Sequence, residues 1–230
     1  MTSDGLMADR ALLGRTSTAE RVAGILRARI SAGYFRPGVR LAEEEITEAL
    51  GVSRNTLREA FRLLTHERLL VHELNRGMFV RVLDMDDVID VYRVRKLVEC
   101  SVVRGITARP PGLARIVDAV EQGQLALDQK DWRGLGTANI LFHEAVVALA
   151  GSARIDELMR AVQAELRLVF HVMENPRWFH EPYLNRNREI AAVLEKGDGA
   201  QAEKLLYAYL DHAERQLVEA YGQRRAEHLG

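Results

Sequence analysis

Three arginines, Arg54, Arg58 and Arg62, recur every four residues in the segment GVSRNTLREAFRLLTHERLL, with Ser53, Asn55 and Thr56 at its start. At about 100° per residue they share one arc of a helix, apart from the apolar stripe Leu57, Ala60, Phe61 and Leu64. A guanidinium can grip a guanine edge or a phosphate with two hydrogen bonds, and a carboxamide can pair with adenine. An ordinary solvated helix face has the same spacing, so the stripe by itself leaves both readings open. Further on, Asn75-Arg76-Gly77 separates the β-prone runs LLVHEL and MFVRVL and signals a hairpin turn. Arg76 and Gly77 would stand at its tip.

A second set of polar residues falls on faces that should point inward. Arg95 lies on the stripe Val88, Val91, Tyr92, Val98 and Val102. Asn139 and His143 align with Val146 and Val147, Asn187 with Ile190 and Leu194, and Tyr209 with Leu205 and Leu206. Buried polar groups are costly unless paired. These five therefore form either a hydrogen-bonded core network or a polar pocket for a small molecule. In the pocket reading Arg95 pairs with a ligand carboxylate, His143 exchanges a hydrogen bond, and Tyr209 and the asparagines fix orientation. A third reading makes His143 the base of a helical enzyme. No nucleophile–base pair, phosphate-cradling glycine loop or full metal set accompanies it in the sequence.

The elements that must position these groups change character near Leu83. Before it the order is helix, helix, helix, hairpin. TAERVAGILRARIS is amphipathic and stops at Gly33 and Phe35-Arg36-Pro37-Gly38. EEEITEAL stops at Gly51, and Ser53 caps a third helix. After it only helical patterns follow, near 85–108, 112–130, 132–150, 153–175, 180–196 and 199–224. The fold class is mainly α: an N-terminal winged helix-turn-helix with a small β-hairpin over 18–82, and a C-terminal all-α bundle over 83–224. Residues 1–17 read as a flexible leader, and Val82–Met85 as a hinge. Trp132, Trp178 and Phe179 read as packing residues. Arg167 and His171 read as a solvated pair that could flank the pocket.

The 230 residues carry a net charge of −1, which conceals an asymmetry. Residues 1–82 hold 13 arginines against 10 acids, and the remainder is acidic by four. A mildly basic front half is compatible with phosphate binding, although arginine-rich codon usage would produce the same count. Cys100 is the single cysteine, which excludes an internal disulfide and fits a reducing cytosol. No stretch has the ~18 consecutive apolar residues that span a bilayer, and the start lacks an apolar signal core. A cytoplasmic placement without membrane association is expected.

The segment YFRPGVRLAEEEITEALGVSRNTLREAFRLLTHERLLVHELNRGMFV resembles the GntR family winged helix. It carries Gly33, Pro37, Gly38, Leu41, Gly51, Val52, Ser53, Arg54, Arg58, Glu59, Ala60, Arg76 and Gly77 of that family's pattern. The resemblance implies a transcription regulator that reads double-stranded DNA through Ser53, Arg54, Asn55, Thr56, Arg58, Arg76 and Gly77. It further implies a homodimer on a near-palindromic operator. Two departures stand out: Asn55-Thr56-Leu57 replaces the frequent Thr-Pro-Val, and Glu44 stands where some relatives carry a DNA-contacting arginine.

The second half resembles the sensing domain of the FadR subgroup, of FCD type, with Arg95 and Glu99 as its Arg-x-x-x-Glu. Many relatives hold a metal with one aspartate and three histidines. Those positions fall here on Asn139, His143, Asn187 and Tyr209, so only His143 is kept and no cofactor is expected, a divalent metal being the lesser alternative. The resemblance implies instead a small-molecule effector, carboxylate-bearing to suit Arg95, bound by Arg95, Asn139, His143, Asn187 and Tyr209. A repressor is the expected action, and a constitutive regulator without effector is the alternative.

Overall fold

Leu57, Ala60, Phe61 and Leu64 are all but inaccessible to solvent, and the first half of the chain is built around them. A computed structural model describes residues 17–31, 33–170 and 176–227; the side chains of 176, 178 and 223–227 are not described. The leader, apart from Ser17, lies outside the described residues, as does His171. The chain divides into two units between Val82 and Leu83.

In the first unit, α1 (Thr18–Ser31) packs on α3 (Arg54–His66), with α2 (Glu43–Leu50) beside α3. Val22, Leu26 and Ile30 of α1 meet the α3 stripe as buried core. A bidentate ion pair, Arg27 to Glu67 at 2.5 and 2.6 Å, ties α1 to the end of α3. The turn between α2 and α3 is made by Gly51 at φ +62, a left-handed conformation that glycine adopts without strain. The hairpin is present as β2 (Leu70–Glu73) and β3 (Gly77–Val80), with Asn75 at φ +61 and Gly77 at φ +105 in the turn. A further strand, β1 (Arg40–Leu41), joins it and makes a three-stranded antiparallel sheet of order β1-β3-β2. Two residues carry no readable alternation, so the sequence pattern could not reveal this strand.

Among the described residues the regular elements of the second unit are all helices: α4 (Met85–Arg104), α5 (Leu113–Asp128), α6 (Trp132–Ala148), α7 (Ala153–Phe170), α8 (Pro176–Glu195) and α9 (Gly199–Glu227). Asp84 opens α4 with a capping box, its Oδ1 accepting the Asp87 N–H at 2.8 Å. α4 lies along α9 and α5 along α6, while α8 packs on α5, α6 and α9. Two boundaries differ from the sequence reading by four residues. α4 stops at Arg104, before Gly105, because the Ile106 carbonyl leaves the helix to accept the Gly199 N–H at 3.0 Å. α8 begins at Pro176, a residue suited to a first helical turn, and runs through Pro182. Phe179 is core, whereas Trp132 is half-buried under the Arg177 guanidinium, 5.3 Å from its ring. Among the described residues no helix is long and apolar enough to cross a membrane.

Candidate nucleic-acid interface and interior polar centre

Ser53 is extended, at φ −69 and ψ 153, and its Oγ accepts the Thr56 N–H at 3.1 Å. That cap is worth about 1 kcal/mol and sets the start of α3. The side chain lies 2.8 Å from the Thr56 hydroxyl, so these two predicted contact residues also support each other. Beyond the cap, Arg54, Asn55, Arg58 and Arg62 are exposed on the face opposite the Leu57–Leu64 core. Three of them are nevertheless held by carboxylates of the same unit. Arg58 Nε lies 3.3 Å from Glu43, Arg54 Nη2 3.8 Å from Glu44, and Arg62 Nη1 2.6 Å from Glu59. At the hairpin tip Arg76 pairs with Glu73, and its guanidinium sits 5.1 Å over the Phe79 ring.

The interior set is buried in the second unit. Arg95, Asn139, His143, Asn187 and Tyr209 each retain 8% or less of their surface. They come together through short bonds. Arg95 Nε donates to Glu99 Oε1 at 2.8 Å, and His143 Nδ1 lies 2.6 Å from Glu99 Oε2. Asn139 Oδ1 accepts from Asn187 Nδ2 and from the Tyr209 hydroxyl, each at 2.8 Å. The His143 and Tyr209 rings, 5.0 Å apart, join the two groups.

Electrostatics fixes the protons. Burial would raise the Glu99 pKa, but the Arg95 guanidinium and His143 more than reverse this, so Glu99 is a carboxylate. Burial lowers the His143 pKa against the pull of Glu99, so the imidazole is neutral. An ionised Glu99 can only accept, so His143 carries its proton on Nδ1 and offers a lone pair at Nε2. Burial drives the Tyr209 pKa well above that of an ordinary phenol. Three buried atoms here have no hydrogen-bond partner among the described residues: Arg95 Nη2, a donor, and His143 Nε2 and Asn187 Oδ1, both acceptors.

Residues 18–80 match the bacterial regulatory proteins of the gntR family, and residues 90–212 match the FCD domain. The chain belongs to the GntR family. It is a DNA-binding transcriptional regulator with an N-terminal GntR helix-turn-helix domain and a C-terminal FCD domain. A crystal structure described as that of a candidate GntR transcriptional regulator from Rhodococcus sp. RHA1 is 50% identical. It matches 90% of this chain and all of that one, with a TM-score of 0.86. The Nta operon transcriptional regulator of Aminobacter aminovorans is 30% identical over 158 residues, covering 66% of this chain and 73% of that protein. The galactonate operon transcriptional repressor of Escherichia coli K12 is 26% identical over 223 residues, covering 87% of this chain and 96% of that protein.

In this GntR regulator the donor chemistry of the centre tests its fit to a metal. Asn139 Oδ1 already accepts two hydrogen bonds, and Tyr209 holds its proton. What remains open, His143 Nε2 and Asn187 Oδ1, is one imidazole and one neutral amide. A divalent cation wants several imidazoles or thiolates and a carboxylate, so these residues do not fit one. The residue that the sequence reading undervalued is Glu99. It was legible as one half of Arg-x-x-x-Glu, one turn from Arg95 on the same stripe. Only the fold shows that it also meets His143, 44 residues further along the chain. Gln163 and His180 are further buried polar residues that the reading passed over. Arg167 is half-buried and feels the charge of Glu144.

Proposed function

We propose that this GntR regulator is a cytoplasmic repressor that binds a near-palindromic operator as a homodimer. A small organic effector held in its FCD domain tunes that affinity. The observation that carries the DNA half is the two-faced α3: Leu57, Ala60, Phe61 and Leu64 are buried, while Arg54, Asn55 and Arg58 stand in solvent. In this reading Arg54, Asn55, Thr56 and Arg58 face base edges in the major groove. Ser53, Arg76 and Gly77 approach the DNA backbone. The repressor assignment is supported by a relative that bears that name.

Arg58→Ala is expected to weaken operator binding by about 1–3 kcal/mol and to relax sequence preference. Fluorescence anisotropy with an operator selected by the wild-type protein from random duplexes measures it. Unchanged affinity removes α3 from the groove.

The effector half is supported by the three unpartnered atoms of the interior centre. A ligand that meets all three must accept from Arg95 Nη2 and donate to His143 Nε2 and Asn187 Oδ1. A carboxylate oxygen beside hydroxyl groups does both. Such a ligand acts only if it binds one arrangement of the DNA-reading domains better than another. No metal is required, and the centre serves recognition rather than turnover. The mutual pairing of Arg95 with Glu99, and of Asn139 with Asn187 and Tyr209, favours a second reading, a constitutive regulator. Native mass spectrometry separates the two: a retained small molecule lost in Asn187→Leu supports the effector, and a bare wild-type mass supports the constitutive reading.

A further inference from the structure

A surface concavity of about 410 Å³ lies on the DNA-binding domain, lined by β1, the starts of α2 and α3, and the hairpin turn. Two arginines line it, Arg40 and Arg54, and they differ in one respect. Arg54 has Glu44 within ion-pair distance, as Arg58 has Glu43 and Arg76 has Glu73. Among the described residues no carboxylate reaches Arg40, an exposed residue. Its guanidinium lies instead across the turn glycine: a Cβ on Gly77 would sit 3.2 Å from Arg40 Nε and 3.6 Å from Nη2. The absence of a side chain at Gly77 therefore does two things. It permits the φ of +105 in the turn, and it leaves room for the guanidinium. The backbone of Arg40 is fixed by its pairing with Phe79 in the sheet.

We propose that Arg40 is a DNA-phosphate contact of the wing, better placed for that role than Arg76 at the hairpin tip. Arg76 is engaged by Glu73 and by the Phe79 ring, so extending it toward DNA costs both contacts. Arg40 has no ion pair among the described residues to break. Glu43, Glu44 and Glu45 line the same concavity and repel a phosphate. That leaves the Gly77 end, where Arg40 stands, as the place where a DNA strand can come close. A phosphate contact of this kind sets affinity and register, and carries no sequence information.

The inference rests on the reading that α3 faces DNA, and the experiment keeps the two apart. Full-length wild type, Arg40→Gln, Arg40→Lys and Arg58→Ala are titrated by anisotropy over a series of potassium chloride concentrations. One probe is a random-sequence duplex, the other a duplex selected by the wild type. Thermal melts of each variant accompany the titrations. Arg40→Gln is expected to lower affinity for both duplexes by the same factor. It should also reduce the slope of log K against log salt by about 1. Arg40→Lys keeps the wild-type slope. An unchanged slope in Arg40→Gln overturns the proposal, as does a lysine variant that behaves like glutamine. A loss confined to the selected duplex also overturns it, because Arg40 would then be reading bases. If Arg58→Ala loses preference for the selected duplex while Arg40→Gln changes neither affinity nor salt slope, the α3 reading stands and only Arg40 falls. If neither variant changes anything, the α3 reading falls with it.

Discussion

Glu43 holds Arg58: its Oε2 lies 3.3 Å from the guanidinium Nε, joining the start of α2 to the exposed face of α3. Arg58 is about two-thirds exposed and Glu43 about one-third. An exposed pair of this kind is worth about 0.2–1 kcal/mol. Its use is to narrow the directions in which Arg58 can point. Glu43→Gln should therefore reduce operator affinity by about 1.4–5-fold, through loss of a pair of that size. Removing a negative charge from the face should at the same time strengthen binding to random duplex. Parallel anisotropy titrations on the two duplexes check both signs. A uniform gain on both would show that Glu43 merely repels DNA.

The Arg95–Glu99 pair predicts a non-additive result in the FCD domain. Either single truncation strands a buried charge, at a cost of about 3–5 kcal/mol. Arg95→Met with Glu99→Leu removes both charges at similar volume, and should cost less than either single change. Urea denaturation of the three variants gives the comparison. Additive losses would mean that the two charges do not depend on each other.

His180 should make stability pH-dependent. Its ring is packed against Phe170 and Phe179, with centroids 4.8 and 5.1 Å away, and Nδ1 has no partner among the described residues. Burial pushes its pKa from 6.5 down to about 4. The unfolded chain therefore takes up the proton first as pH falls. The His180 share of stability is intact above the unfolded pKa of 6.5 and declines at up to about 1.4 kcal/mol per pH unit down to the folded value. His143, also lowered by burial, adds to the loss in the same direction. His180→Gln should lose less stability than wild type between neutral and mildly acidic pH. Equal losses in urea melts at the two pH values would remove His180 from the account.

Metal should make little difference. A resident ion at a hundredfold excess over its Kd would stabilise the fold by about 2.7 kcal/mol. Dialysis against a chelator, followed by zinc, is expected to leave the melting temperature where it was. A rise on zinc addition that is absent in His143→Ala would show that Asn187 and His143 ligate after all.

Residue order was enough to set out much of this protein. The α3 face was legible because Leu57, Ala60, Phe61 and Leu64 repeat at helical spacing. Ser53 and Gly51 also mark its boundary by local chemistry. Arg95, Asn139, His143, Asn187 and Tyr209 were legible as interior groups because each shares an apolar stripe. In each case the signal lies within a few residues of chain, where helical geometry links spacing to direction. What required the tertiary structure was who meets whom. Glu99 lies between Arg95 and His143, and Asn139 between Asn187 and Tyr209, because α4, α6, α8 and α9 pack around one centre. Arg76 turns back onto Phe79 while Arg40 reaches Gly77, because a two-residue strand brings β1 beside β3. Contacts between distant residues are fixed by packing and by strand register, and neither leaves a period in the sequence.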